Sequence, residues 1–160
     1  MKRTILTIAI IVLSLSYTQA QDYITAVGVR GGYFSGISVK QILSDDHALE
    51  GIFSARPGGF NVTALAETYA MTCKDEQWHW YYGVGAHVGI WPEDVFRRTW
   101  SNDKPLYSRV VVGIDAIAGL EYTFEQVPIN LSIDYKPSLN FLPLGFWADG
   151  LAFSARYTIR

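Results

Sequence analysis

The sequence predicts an all-β fold, a closed antiparallel up-and-down β-barrel of about eight strands that crosses a membrane, and three observations predict it. Apolar and polar residues alternate with a period of two along most of the chain beyond residue 20. Charged residues are scarce, at 18% against roughly 25% in ordinary soluble domains, while aromatics reach 14% and 14 glycines are scattered along the chain. The chain also opens on the pattern of a cleavable export signal.

That signal divides the sequence. Lys2 and Arg3 precede an apolar run from Ile5 to Leu15, followed by Ser16, Tyr17 and the small-residue pattern Thr18-Gln19-Ala20, which predicts cleavage after Ala20. The run is shorter than the roughly 20 apolar residues of a spanning helix, and no Cys follows it to carry a lipid anchor. Residues 1–20 are therefore expected to be a signal peptide and residues 21–160 one barrel domain. Removing the signal leaves 11 Lys and Arg against 15 Asp and Glu, a balance that gives no reason to expect a nucleic-acid partner. The single Cys73 excludes an internal disulfide. Neither a linker nor a repeat period divides the domain.

The first four strands are expected near 23–33, 36–43, 48–57 and 59–72, and the later ones are sharper. From Trp78 to Trp91, Trp80, Tyr82, Val84, Ala86, Val88 and Ile90 oppose His79, Gly83, Gly85, His87 and Gly89. From Ser108 to Phe124, Val110, Val112, Ile114, Ala116, Ala118, Leu120 and Tyr122 oppose Arg109, Asp115, Glu121 and Thr123. From Val127 to Phe141, Val127, Ile129, Leu131, Ile133, Tyr135, Pro137, Leu139 and Phe141 oppose an almost wholly polar face. In the last strand Trp147, Leu151, Phe153, Ala155, Tyr157 and Ile159 oppose Gly150, Ser154, Arg156 and Thr158.

Alternation alone does not say which face points inward, so a soluble lipocalin-like barrel with an apolar interior stands as the alternative. Three features favour an apolar face turned to lipid. The polar face is rich in Gly, Ser and Asn, as a crowded eight-stranded interior requires. Links near 44–47, 73–77 and 125–126 are short, whereas 92–106 is long and 142–146 intermediate, although those near Phe34 and Pro57-Gly58 are short too. Aromatics gather at strand ends: Trp78, Trp80, Tyr122, Phe124 and Tyr157 at one boundary, Phe60, Phe141 and Trp147 at the other.

With that pattern, residues 21–160 resemble the small outer-membrane barrels of Gram-negative bacteria typified by the OmpX and OmpA transmembrane domains. The resemblance implies an outer-membrane location, contact with outer-membrane lipid and lipopolysaccharide, and the barrel assembly machinery as a partner in biogenesis. Family members usually end on an aromatic residue recognised by that machinery. Here Phe153, Tyr157 and Ile159 keep the alternation, but the chain closes on Arg160.

The same parity sends Arg30, Lys40, Glu50, Arg56, Glu67, His87, Arg109, Asp115, Glu121, Asp134, Lys136 and Arg156 into the lumen. Apart from His87 these are six cations and five anions, a near balance that predicts mutual pairing and a plugged barrel. A structural or surface-interaction role in the cell envelope follows as the expected function, without catalysis, cofactor or metal. A lipid-modifying enzyme and a narrow channel are the competing readings. For the first, the His-x-Ser pair of barrel deacylases is missing: His79 is followed by Trp80-Tyr81 and His87 by Val88-Gly89. His47 beside Asp45 and Asp46 reads as a hydrophilic turn. In the long link, Phe96, Arg97, Arg98 and Trp100 are the candidates for contact with a protein partner or with lipopolysaccharide phosphates.

Overall fold

The computed structural model describes residues 25–44, 46–56, 59–70, 77–91, 109–142, 144–148 and 150–159; the side chains of Arg56, Trp91 and Arg109 lie outside that description. Period-two segments become strands because only an extended backbone puts alternate side chains on opposite faces. They are β1 (Thr25–Gly32), β2 (Ser35–Ser44), β3 (His47–Arg56), β4 (Gly59–Ala70), β5 (Trp78–Trp91), β6 (Arg109–Thr123), β7 (Ile129–Tyr135), β8 (Ser138–Leu142), β9 (Leu144–Trp147) and β10 (Leu151–Ile159).

Each of the first six strands pairs antiparallel with the next; β6 pairs with β7, β7 with β10, and β10 returns to β1. The sheet closes on itself. β8 prolongs β7 along β6, and β9 prolongs β10 along β8, so the ten segments form an eight-stranded barrel. Both interruptions are local. Pro137 has no N–H to give the ladder, yet its carbonyl still accepts from the Ala116 N–H at 3.0 Å, and the Lys136 N–H donates to the Gly150 carbonyl at 3.0 Å.

Exposure decides which face points inward. Val29 is 63% exposed and its neighbour Arg30 4%; Val84 is 67% exposed, whereas Tyr81 and His87 on the same strand are buried. The outer wall is apolar and the interior mostly polar, which reverses what a lipocalin-like barrel would show. At the end where β1 begins and β10 finishes, hereafter the terminal end, Trp78, Tyr122 and Phe124 form a continuous aromatic run with ring centroids 4.8 and 4.7 Å apart.

Three expectations from sequence need correction. The strand expected over 127–141 begins at Ile129 and breaks at Lys136-Pro137. The link expected over 142–146 is largely strand: Leu142 ends one strand, Leu144 begins the next, and Phe141 pairs with Leu144. Trp147, placed on the outward face, points inward: its ring stacks on the buried His87, centroids 6.3 Å apart, and on Phe34 at 5.6 Å. In β9 it is Leu144 and Phe146 that face out, while in β10 Leu151 and Phe153 do. Alternation therefore slips by one residue across 148–150, and such a slip exchanges the faces.

Glycine is required where a side chain must cross the lumen. A Cβ on Gly119 would lie 2.6 Å from the Tyr81 ring, and one on Gly113 2.6 Å from the His87 ring. Gly51 faces outward, with nothing nearer to such a Cβ than the Val39 carbonyl oxygen at 4.0 Å. Gly119→Val is expected to destabilise the barrel by about 1–3 kcal/mol through overpacking, and Gly51→Ala to have little effect. Urea unfolding of vesicle-inserted protein measures both; equal stability of the two variants would refute the packing assigned to Tyr81.

Candidate functional site

The lumen is where the chain gathers its charged groups. Every inward position on a closed barrel faces all other strands, so residues far apart in sequence meet there. Arg30 and Asp134, 104 residues apart, form a two-pronged pair in which Nη1 donates to Oδ2 at 2.8 Å and Nη2 to Oδ1. The Tyr81 hydroxyl donates to the same Oδ2 at 3.2 Å.

Towards the terminal end, Lys40 is the hub. Its Nζ lies 2.8 Å from Glu67 Oε2 and 2.9 Å from Glu121 Oε2, and 3.9 Å from the centroid of the Tyr81 ring. Tyr69, whose ring centroid is 5.3 Å from that Nζ, donates its hydroxyl to Glu121 Oε1 at 3.0 Å. Beside this group, Arg156 Nη2 pairs with Glu50 Oε1 at 2.5 Å, Nε donates to Ser38 Oγ at 2.9 Å and Nη1 to Ser132 Oγ at 2.8 Å. A guanidinium with donors aimed in three directions is the group suited to a crowded polar interior. An apolar cluster of Ala48, Ile52, Leu65 and Ile117 packs with Tyr69 and Tyr81 against these charges.

Towards the far end the arrangement changes. His87 Nδ1 lies 2.8 Å from Asp115 Oδ2 and Nε2 2.8 Å from Asn140 Oδ1; Lys136 Nζ reaches the other Asp115 oxygen at 2.5 Å. Trp147 covers the imidazole face. A pocket of about 20 Å³ among Arg30, Phe34, Asn61, Lys136, Ser138 and Trp147 has room for one water molecule.

Ten of the lumen residues expected from parity are thus interior, in linked groups: Arg30 with Asp134, Lys40 with Glu67 and Glu121, Arg156 with Glu50, and His87 and Lys136 with Asp115. The side chains of Arg56 and Arg109 lie outside the described residues, as do Phe96, Arg97, Arg98 and Trp100 and the signal segment 1–20. Sequence reasoning missed Tyr69, Tyr81, Asn140 and Trp147. The first three have the parity of Glu67, His87 and Asp134 and were accessible to the same rule; Trp147 was not, because the slip at 148–150 inverts it. Among the described residues no group of three His, Cys, Asp or Glu side chains is arranged to hold a metal ion.

Removing one member of a buried ion pair leaves the other without compensation, at about 3–5 kcal/mol. Arg156→Met is expected to cost that much, and adding Glu50→Gln to recover most of it. Urea unfolding of the single and double variants measures the coupling; additive effects would show that the two residues do not act as a pair.

No family model matches the chain, and no curated protein does. Among solved structures, the N-terminal β-barrel domain of Pseudomonas aeruginosa OprF superposes with a TM-score of 0.64 over 88% of this chain and 100% of that one, at 15% identity. At that identity the likeness is one of fold. The chain shares the fold of that domain: all-β, closed, antiparallel and eight-stranded.

Proposed function

We propose that the protein is an exported outer-membrane barrel with a structural or surface-interaction role in a Gram-negative cell envelope, its lumen plugged rather than conducting or catalytic. The observation that carries this reading is the interior itself. Arg30 is held by Asp134, Lys40 by Glu67 and Glu121, and Arg156 by Glu50, Ser38 and Ser132, all from other strands, and Ile52, Leu65 and Ile117 pack inside with Tyr69 and Tyr81. Both ring nitrogens of His87 are engaged, by Asp115 and Asn140, which favours a positioning contact over a catalytic base. The outward apolar wall supports membrane insertion, since a lipid-exposed sheet must be closed and apolar outside.

In this reading residues 1–20 direct export, the barrel assembly machinery inserts the domain, and the terminal end faces the periplasm. Phe96, Arg97, Arg98 and Trp100 are then offered on the outer side to lipopolysaccharide or a protein partner. The reading needs neither cofactor nor nucleic acid.

Cell fractionation followed by electrophoresis with and without boiling tests it. The expected result is a band in the outer-membrane fraction whose mobility shifts on heating, together with no conductance steps in planar bilayers. A soluble periplasmic protein would refute the location, and discrete conductance steps would refute the plug. Val84→Arg, which puts a charge on the outward wall near mid-strand, is expected to cost about 2–4 kcal/mol and to reduce the heat-shifted band.

A further inference from the structure

Two buried carboxyls are only partly used by the ion pairs. Glu50 and Glu67 point into the lumen from adjacent strands, and register makes them diagonal neighbours: Glu50 pairs with Leu65 and Glu67 with Ala48. Diagonal positions on one face lie within reach of long side chains, and these two carboxyls come within hydrogen-bonding distance of one another. Glu50 Oε1 accepts from Arg156 Nη2 at 2.5 Å, and Glu67 Oε2 lies 2.8 Å from Lys40 Nζ. Glu50 Oε2 and Glu67 Oε1 are buried and accept no hydrogen bond from any described residue. Directly opposite Glu67 on β5 stands Gly83, which brings no donor.

The charges around the pair do not balance. Among the described side chains β1 contributes Arg30, β2 Lys40 and β10 Arg156. Against these three cations stand Glu50 on β3, Glu67 on β4, Glu121 on β6 and Asp134 on β7, while Tyr69 on β4 and Tyr81 on β5 donate their hydroxyls to Glu121 and Asp134. The far-end group offers no further cation, since Lys136 and His87 are both committed to Asp115. One carboxylate of the four therefore lacks a counter-ion, and a lone buried carboxylate is so costly that the group takes up a proton instead. Asp134 receives the fork of Arg30, and Glu121 accepts from both Lys40 and Tyr69, so neither needs that proton. The acceptors left without a donor belong to Glu50 and Glu67, where a single proton serves both as an O–H···O⁻ hydrogen bond. We propose that Glu50 and Glu67 hold one proton between them, and that this bond between β3 and β4 is a pH-sensitive latch on the plug, released when alkali removes the proton.

The folded barrel then carries a proton that an unfolded glutamate has lost above about pH 4.3. Its stability from this source is complete below that value and falls as pH rises, until the pair itself ionises. For each pH unit in that window the unfolding equilibrium constant is expected to rise about tenfold more in the wild type than in Glu67→Gln, which balances the charges without a proton. Comparing the two cancels the titration of His47, His79 and His87, which both proteins carry. Urea unfolding of vesicle-inserted protein from pH 5 to 7 measures the slopes, and infrared spectroscopy of the same samples reads the C=O stretch of a protonated carboxyl. The wild type is expected to show that band at pH 7 and lose it in alkali, Glu67→Gln to lack it, and Glu121→Gln to keep it. Parallel slopes, no such band in the wild type, or a band removed by Glu121→Gln but not by Glu67→Gln would each overturn the proposal. So would a stability that follows sodium concentration instead of pH, which would place a metal cation between the two carboxylates. Should Glu67→Gln fail to fold, the wild-type band and its loss in alkali decide alone.

Discussion

Closure of the sheet between β1 and β10 is the constraint on which the rest of the molecule depends. Eight residue pairs, from Thr25 with Ile159 to Gly32 with Ala152, join the first strand to the last. In hydrocarbon an unpaired row of N–H and C=O groups costs several kcal/mol per group, so an open edge is not an available state. Closing the ring removes that edge and at the same time creates an interior whose radius is set by the number of strands. Everything inside must then fit a fixed width, and everything outside must tolerate lipid.

The interior follows from that width. A lumen of eight strands is too narrow for solvated charges, so its ions are placed against one another, beside a small aliphatic cluster of Ile52, Leu65 and Ile117. Lys40 illustrates how much one residue can organise: two carboxylates and two phenol rings surround its ammonium. Buried pairs of this kind add little net stability compared with apolar side chains of the same shape, but breaking one is costly. Their effect is to penalise any register that would separate them. Strand register is otherwise weakly specified where both faces of a strand are permissive, and the Gly-rich stretches of β5 are of that sort.

Much of this was legible in sequence because lipid and lumen impose opposite chemistries on adjacent residues. The parity of Val110 to Leu120, or of Ile129 to Tyr135, needs no tertiary information. Nor does the inward placement of Lys40, Glu67 or Asp134. Partner choice was not legible: Arg30 could have met any inward anion, and its selection of Asp134 depends on how strands 104 residues apart are staggered. The interior aliphatics were hidden for a different reason, since Leu65 and Ile117 sit at inward positions that the polar pattern assigns to hydrophilic residues. Pro137 did signal the break between β7 and β8, by lacking the N–H that a central strand needs, but alternation passed through it unchanged and concealed the interruption.

Trp147 shows why the two halves of the lumen are built differently. Near the terminal end, large side chains from many strands fill the space: Tyr69, Tyr81, Lys40 and Arg156. Near the far end, Gly85, Gly89, Gly113 and Gly145 occupy inward positions and contribute no side chains. Something bulky must enter or the barrel holds a cavity, with the loss of contacts that a cavity entails. The slip across 148–150 supplies it by turning the indole of Trp147 inward onto His87 and against Phe34, while the same slip puts Phe146 on the lipid side. One irregularity in one strand therefore fills the lumen and shapes the outer wall beside Leu139, so the two faces of the barrel are not independently tunable at that point.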